Sequence, residues 1–128
     1  MFENLDVFRM AHAMSVHAAT KQGLSAQNMA NADTPGYVAR DVTPFTDLMK
    51  SESAEFGLKA TRAAHLNGSG QTFAGEIFER DGERDPNGNS VSLEIEMMHA
   101  VNAKRQHDRA LSIYKTSLGV LRTAIGRP

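Results

Sequence analysis

Asn28-Met29-Ala30-Asn31-Ala32-Asp33-Thr34-Pro35-Gly36-Tyr37-Val38-Ala39-Arg40-Asp41 ends one long helical pattern with a hard stop. Pro35 has no backbone N–H and disfavours helical geometry at Thr34. Gly36 follows at once, and Pro-Gly suits the two central positions of a type II turn, the second of which needs positive φ. Asn31 and Asp33 can bond their own backbone and so compete with helix. Asn28 and Asn31 lie three apart and share a helix face just before the break. Two amides there can cap free carbonyls or reach a neighbouring chain. On spacing alone, an ordinary helix terminator reads the same way.

Upstream of the stop, residues 3–32 hold no proline and one glycine, Gly23. Leu5, Phe8, His12, Val16, Ala19, Gly23, Ala26 and Ala30 recur at three- and four-residue steps and predict a helix over 1–32. This stripe thins from Phe and Leu to Ala and Gly. Gly23 costs about 1 kcal/mol relative to Ala inside a helix and marks a possible kink. Downstream, a turn and a short helix are expected over 33–50. Phe45, Leu48 and Met49 follow Thr43-Pro44 at helical spacing, so the helix should run from Pro44 to about Lys50. Residues 51–90 are poorly patterned and read as a flexible insert. Within them, Thr72–Arg80 alternates weakly around Phe73, Ile77 and Phe78 as a strand or hairpin. Asp81-Gly82 and Asn87-Gly88 are turn signals, with Pro86 between them.

The last segment, 91–127, is the cleanest helix. Asn89 or Ser90 can cap it, and Glu94 suits its positive end. From Leu93 the pattern runs through Met97, Ala100, Lys104, His107, Leu111, Tyr114, Leu118, Leu121 and Ile125 in alternating steps of four and three. That is the seam spacing of a coiled coil. Lys104 and His107 interrupt it, either fixing register or turning to solvent by a rotation of the helix. Gly126 and Pro128 end the helix. The expected fold is all-α. The helices of 1–32 and 91–127 pack as an antiparallel coiled coil, forming one helical domain with the loop-rich insert between them.

Composition supports a part that completes its core against neighbours. The chain has 128 residues, enough for one domain or less, with 41% hydrophobic residues and no Trp. Much of the apolar content is Ala and Met, which suit close helix packing. The net charge of −1 carries no bias toward nucleic acid. Charge is uneven along the chain, acidic in the middle and basic in the last helix. Absence of Cys excludes disulfides, thiolate metal sites and a cysteine nucleophile. Residues 1–30 lack a basic stretch followed by an unbroken apolar run, so they do not read as a secretory signal peptide.

Candidate chemical sites fail on inspection. His12 and His17 point to different helix faces. Glu96-x-x-His99 has the spacing of a di-iron carboxylate helix, but that site needs two such helices plus a Glu from each of two others, and the only Glu of the N-terminal helix is Glu3. Asp81, Glu83 and Asp85 resemble the start of a calcium loop, yet Pro86 stands where the loop needs Gly and Ser92 where it needs Glu. No phosphate-cradling Gly-rich loop or nucleophile elbow is present. Tyr37 and Tyr114 read as packing groups with a polar tip. No catalytic residue, cofactor or metal is expected, and the chain does not read as an enzyme.

Asn28-Met29-Ala30-Asn31, then Thr34-Pro35-Gly36-Tyr37, resembles the N-terminal motif of bacterial flagellar rod and hook proteins, and the run to Asp41 resembles proximal rod proteins in particular. A second stretch, Gly88-Asn89-Ser90-Val91-Ser92-Leu93-Glu94 followed by Glu96-Met97, resembles the segment that opens the C-terminal helix in that family. Ala64-His65-Leu66 is a shorter similar patch. Val38 stands where the family usually has Lys, and Ser92 where Asp is common. The resemblance implies a structural subunit whose terminal helices pack with other subunits into a helical tube that transmits torque and surrounds an export channel. The implied partners are copies of itself, other rod proteins, the ring or adaptor at the rod base and the flagellar export apparatus. No nucleic acid or small-molecule substrate is implied. It also implies passage through the type III apparatus to the periplasmic rod without cleavage. The residues expected to carry packing and assembly are Leu5, Phe8, Leu93, Met97, Leu111, Tyr114, Leu118, Leu121 and Ile125, with Asn28, Asn31, Thr34, Pro35, Gly36 and Tyr37 at the junction. Two rivals remain on residues alone: a cytoplasmic coiled-coil adaptor or regulator, and a small helical enzyme.

Overall fold

The structure, a computed structural model, describes residues 2–54 and 75–126, with side chains followed over 6–50 and 75–126. The side chain of Leu5, the Ala64-His65-Leu66 patch, Thr72, Phe73 and Pro128 lie outside the described residues. The elements run α1 (Phe2–Ala30), β1 (Arg40–Val42), α2 (Phe45–Ala54), β2 (Ile77–Glu79) and α3 (Leu93–Ala124). The chain is therefore mostly helical, with long helices near both ends and a small two-stranded sheet. Proline-free, alanine-rich sequence carries α1 past Gly23 without interruption. A Cβ on Gly23 would meet nothing within 4 Å. Gly126, at φ 75°, closes α3, its N–H reaching the Thr123 carbonyl at 3.1 Å.

α1 and α3 pack along each other. Phe8, early in α1, meets Tyr114, late in α3, edge to face at 5.0 Å between ring centres. Asn28, late in α1, donates to Glu96, early in α3, at 3.1 Å. The buried residues of α3 are Glu96, Ala103 and Ala110, spaced seven apart. Ala11, Ala18 and Ser25 of α1 are also buried and also seven apart. Small side chains on both faces let the two backbones approach closely.

This places the contact face of α3 beside, not on, the leucine-type seam expected from the sequence. Leu93, Met97, Leu111, Tyr114 and Ile125 are exposed, Ile125 at 76%, while Leu118 and Leu121 are half-buried. Lys104 turns outward and pairs with Asp108 at 2.9 Å. The stripe expected on α1 is displaced as well. His12, Val16, Ala19, Gly23, Ala26 and Ala30 are exposed, and Ala11, Ala13, His17, Ala18, Leu24, Ser25 and Asn28 are buried. Periodicity weighs large apolar side chains, but the tightest helix contact selects alanine, serine and paired polar groups.

The strands pair antiparallel, with Arg40 opposite Glu79, Asp41 opposite Phe78 and Val42 opposite Ile77. Ile77 therefore pairs with a distant strand, not within a local hairpin. The sheet lies on α1 through buried Ala39 and Val42. His17 Nε2–H donates to the Thr43 carbonyl at 2.8 Å, and its ring leans on Phe45 at 5.5 Å. A carbonyl only accepts, so the proton sits on Nε2. α2 begins at Phe45, just after Pro44, and continues beyond Lys50 to Ala54.

Opposite effects are expected at two small positions. Ala103→Leu overpacks the helix contact and should cost about 1–3 kcal/mol. Gly23→Ala adds a helix former in open space and should stabilise the chain by up to about 1 kcal/mol. Urea unfolding of the purified chain, followed by helical circular dichroism, reads both signs.

Candidate functional site

α1 runs out of backbone partners at Ala30, and its last carbonyls must find donors elsewhere. The Asn31 N–H still reaches the Gln27 carbonyl at 3.2 Å and the Asn28 carbonyl at 3.0 Å. The Tyr37 N–H then closes on the Thr34 carbonyl at 3.3 Å, around Pro35 and a Gly36 at φ 72°. That is the type II turn the Pro-Gly pair dictates.

Carbonyls of the turn itself are met by a residue from a distant part of the chain. The Asn89 Nδ2 amide lies 2.9 Å from the Asn31 carbonyl and 2.8 Å from those of Ala32 and Thr34. Two hydrogens serve three acceptors, so one bond is shared. Asn89 Oδ1 accepts the Val91 N–H at 2.7 Å, which orients the amide. Around it the two segments meet backbone to backbone. The Gly36 N–H donates to the Asn87 carbonyl at 3.0 Å, and the Ser90 N–H to the Tyr37 carbonyl at 3.1 Å. Gly88 sits at φ 82°, and a Cβ there would come within 3.4 Å of the Gly36 Cα.

Asn28 is fully buried and uses its whole amide. Oδ1 accepts the Arg40 N–H at 3.0 Å and the Tyr37 hydroxyl at 3.2 Å. Nδ2 donates to the Arg40 carbonyl at 2.8 Å and to Glu96 Oε2 at 3.1 Å. The other Glu96 oxygen accepts from Arg80 Nη1 at 2.9 Å. Arg80 also lies 3.6 Å from Asp41, which lies 3.7 Å from Lys21. The result is an alternating chain, Lys21–Asp41–Arg80–Glu96, crossing from α1 through the sheet to α3. A carboxylate buried as completely as Glu96 is tolerable only because charge and hydrogen bonds meet both oxygens.

The geometry is that of a clasp. Most of its polar groups bond one another, Arg80 Nε being buried without a partner, and among the described residues no three His, Asp or Glu side chains gather as a metal set. No described helix is long and apolar enough to cross a membrane.

No protein-family model matches the chain. The flagellar basal body rod protein FlgB of Agrobacterium fabrum is 34% identical over 118 residues, covering 88% of this chain and 87% of that protein. The chain belongs to the FlgB family. FlgB of Cereibacter sphaeroides is 31% identical over 107 residues, 83% of each chain.

The clasp of this FlgB-family chain joins the two stretches on which the family resemblance stands. Asn28 lies at its centre. Asn31 is half-buried, its amide donating to the Gln27 carbonyl at 2.8 Å and its Oδ1 accepting the Thr34 hydroxyl at 3.3 Å. Tyr37 is half-buried, while Thr34, Pro35 and Gly36 lie exposed. Phe8 and Tyr114 meet at the far end of the helix pair, and Leu93, Met97, Leu111 and Ile125 take no part in the clasp. Sequence reading missed the ion-pair chain and the true task of Asn89. Sequence offers Asn89 or Ser90 as the cap of α3, whose N-cap is instead Ser92, without a side-chain bond. The available signal was Asn89 beside Gly88, a turn pair able to aim an amide backward.

Asn89→Ala removes the amide shared by three turn carbonyls and leaves that of Ala32 with no other donor among the described residues, so it should cost about 1–3 kcal/mol. Asn89→Asp keeps the shape but removes the donor, so it should be at least as damaging. Denaturant midpoints for the two variants check this; a well-tolerated Asn89→Asp would contradict the capping role.

Proposed function

We propose that this chain is a structural subunit of the flagellar basal-body proximal rod. The carrying observation is FlgB-family membership across most of the chain, joined to helices whose large apolar side chains point outward. Leu93, Met97, Met98, Val101 and Ile125 are all more than half exposed. Leu93, Met97, Met98 and Val101 adjoin on one stretch of α3, and apolar exposure of this kind marks an interaction surface.

In this reading the segments 1–32 and 91–127 form one helical domain, an antiparallel coiled coil. Support comes from Phe8 on Tyr114, Asn28 on Glu96 and the seven-residue spacing of the buried alanines. The 33–50 turn and short helix and the 51–90 insert decorate that rod-like core. Outward side chains then pack with copies of the chain, with other rod proteins and with the ring or adaptor at the rod base. Many parallel contacts carry torque around the export channel. The protein reaches the periplasmic rod through the flagellar export apparatus without a cleaved signal peptide. It has no enzymatic role and no nucleic-acid partner. Family membership does not favour the cytoplasmic adaptor.

Met97→Ser and Ile125→Ser remove outward apolar groups that the single chain leaves 61% and 76% exposed. Each should change monomer stability by less than about 0.5 kcal/mol, while the pair abolishes swimming and incorporation into isolated basal bodies. Normal motility of the double variant, or a purely cytoplasmic wild-type pool, would overturn the rod assignment.

A further inference from the structure

The outer face of α3, turned away from Glu96, Ala103 and Ala110, carries a shallow groove lined by Met97, Met98, Val101, Asn102 and Arg105. We propose that this groove seats strand β2 of a second copy of the chain, with Ile77 on Val101 and Glu79 on Arg105. The inference rests on the rod assignment and names one contact within it.

Spacing, polarity and charge all match. Ile77 and Glu79 are two apart on a strand, so they share one face about 7 Å apart. Val101 and Arg105 are four apart on a helix, so they share one face about 6 Å apart. Ile77 is 52% exposed and Val101 51%, and each shows an apolar group to water. Glu79 and Arg105 are both exposed. Glu79 faces Arg40 across the ladder without an ion pair within 4 Å, and Arg105 has no ion-pair partner among the described residues. Exposed Glu76, Asp81 and Glu83 surround the strand, while exposed Arg109 continues the basic side of the groove. The second edge of β2 is unpaired among the described residues and is open to approach.

A chain cannot satisfy its own groove. Its β2 is pinned by the ladder to β1 and by Arg80 to Glu96. Arg105 lies nine residues further along α3, about 13 Å down the axis, and on another side of the helix. Because donor and acceptor surfaces differ, the contact is head to tail and repeats from copy to copy, into a ring where the rotation closes and a helical array where it does not.

The cysteine-free chain makes the test direct. Ile77→Cys and Val101→Cys are introduced together into the full chain, expressed in flagellated cells lacking the native copy, and mildly oxidised in isolated basal bodies. A disulfide requires the two Cα atoms within about 7 Å. A ladder of dimers and larger multimers is expected, absent from either single variant. Glu79→Arg or Arg105→Glu, added singly, should lower the ladder several-fold, and adding both should restore it. A second pair, Glu79→Cys with Arg105→Cys, guards against local misfolding at the first. The proposal is overturned if assembled chains give no ladder with either pair. It is equally overturned if Val101→Cys dimerises alone, as a two-fold contact would, or couples to a different protein. Absence of the wild-type chain from basal bodies would instead sink the rod assignment, and the same oxidation of concentrated purified chain would then test the contact alone.

Discussion

One amide closes the end of a long helix. α1 stops at a proline-glycine turn, and the carbonyls of the turn need donors that the helix cannot supply. Asn89 meets three of them at once, from a position more than fifty residues later in the chain. A buried backbone carbonyl without a donor carries a penalty comparable to a lost hydrogen bond. The start of the α3 segment is therefore held where α1 ends. Gly36 and Gly88 make the meeting possible: both turn at positive φ, and a Cβ on Gly88 would press on the Gly36 backbone.

From that anchor the rest of the arrangement follows. Asn28 ties the outgoing chain at Arg40 to Glu96 of α3, and Glu96 draws Arg80 and strand β2 to the same point. Below the clasp, alanine and serine line the helix contact. Close backbone approach leaves little room for leucine there, so the large apolar side chains take the outer faces. A single chain thus buries several polar groups, Asn28, Asn89 and Glu96 among them, and leaves many large apolar side chains outside. That inversion suits a subunit whose core is finished by neighbours.

The two long helices, the stop between them and the turn at Gly36 were legible from proline, glycine and helical periodicity. The faces were not. Glu96, Ala103 and Ala110 repeat as regularly as Leu111 and Leu118, but a pattern weighted by side-chain size follows the leucines. Ile77 and Phe78 did suggest a strand, yet nothing nearby announced that the partner would be Arg40–Val42.

Sequence alone determined where helix is possible and where it must end, because proline and glycine act through local backbone geometry. It also placed the chain beside rod proteins, through two short motifs far apart in the sequence. Only the tertiary structure decided why those motifs belong together. Hydrogen bonds such as Asn89 to the turn carbonyls after α1 and Asn28 to Glu96 depend on long-range approach, which no local pattern encodes. The same holds for the outward turn of the leucine-type edge, since a helix's rotation is set by the partner it packs against.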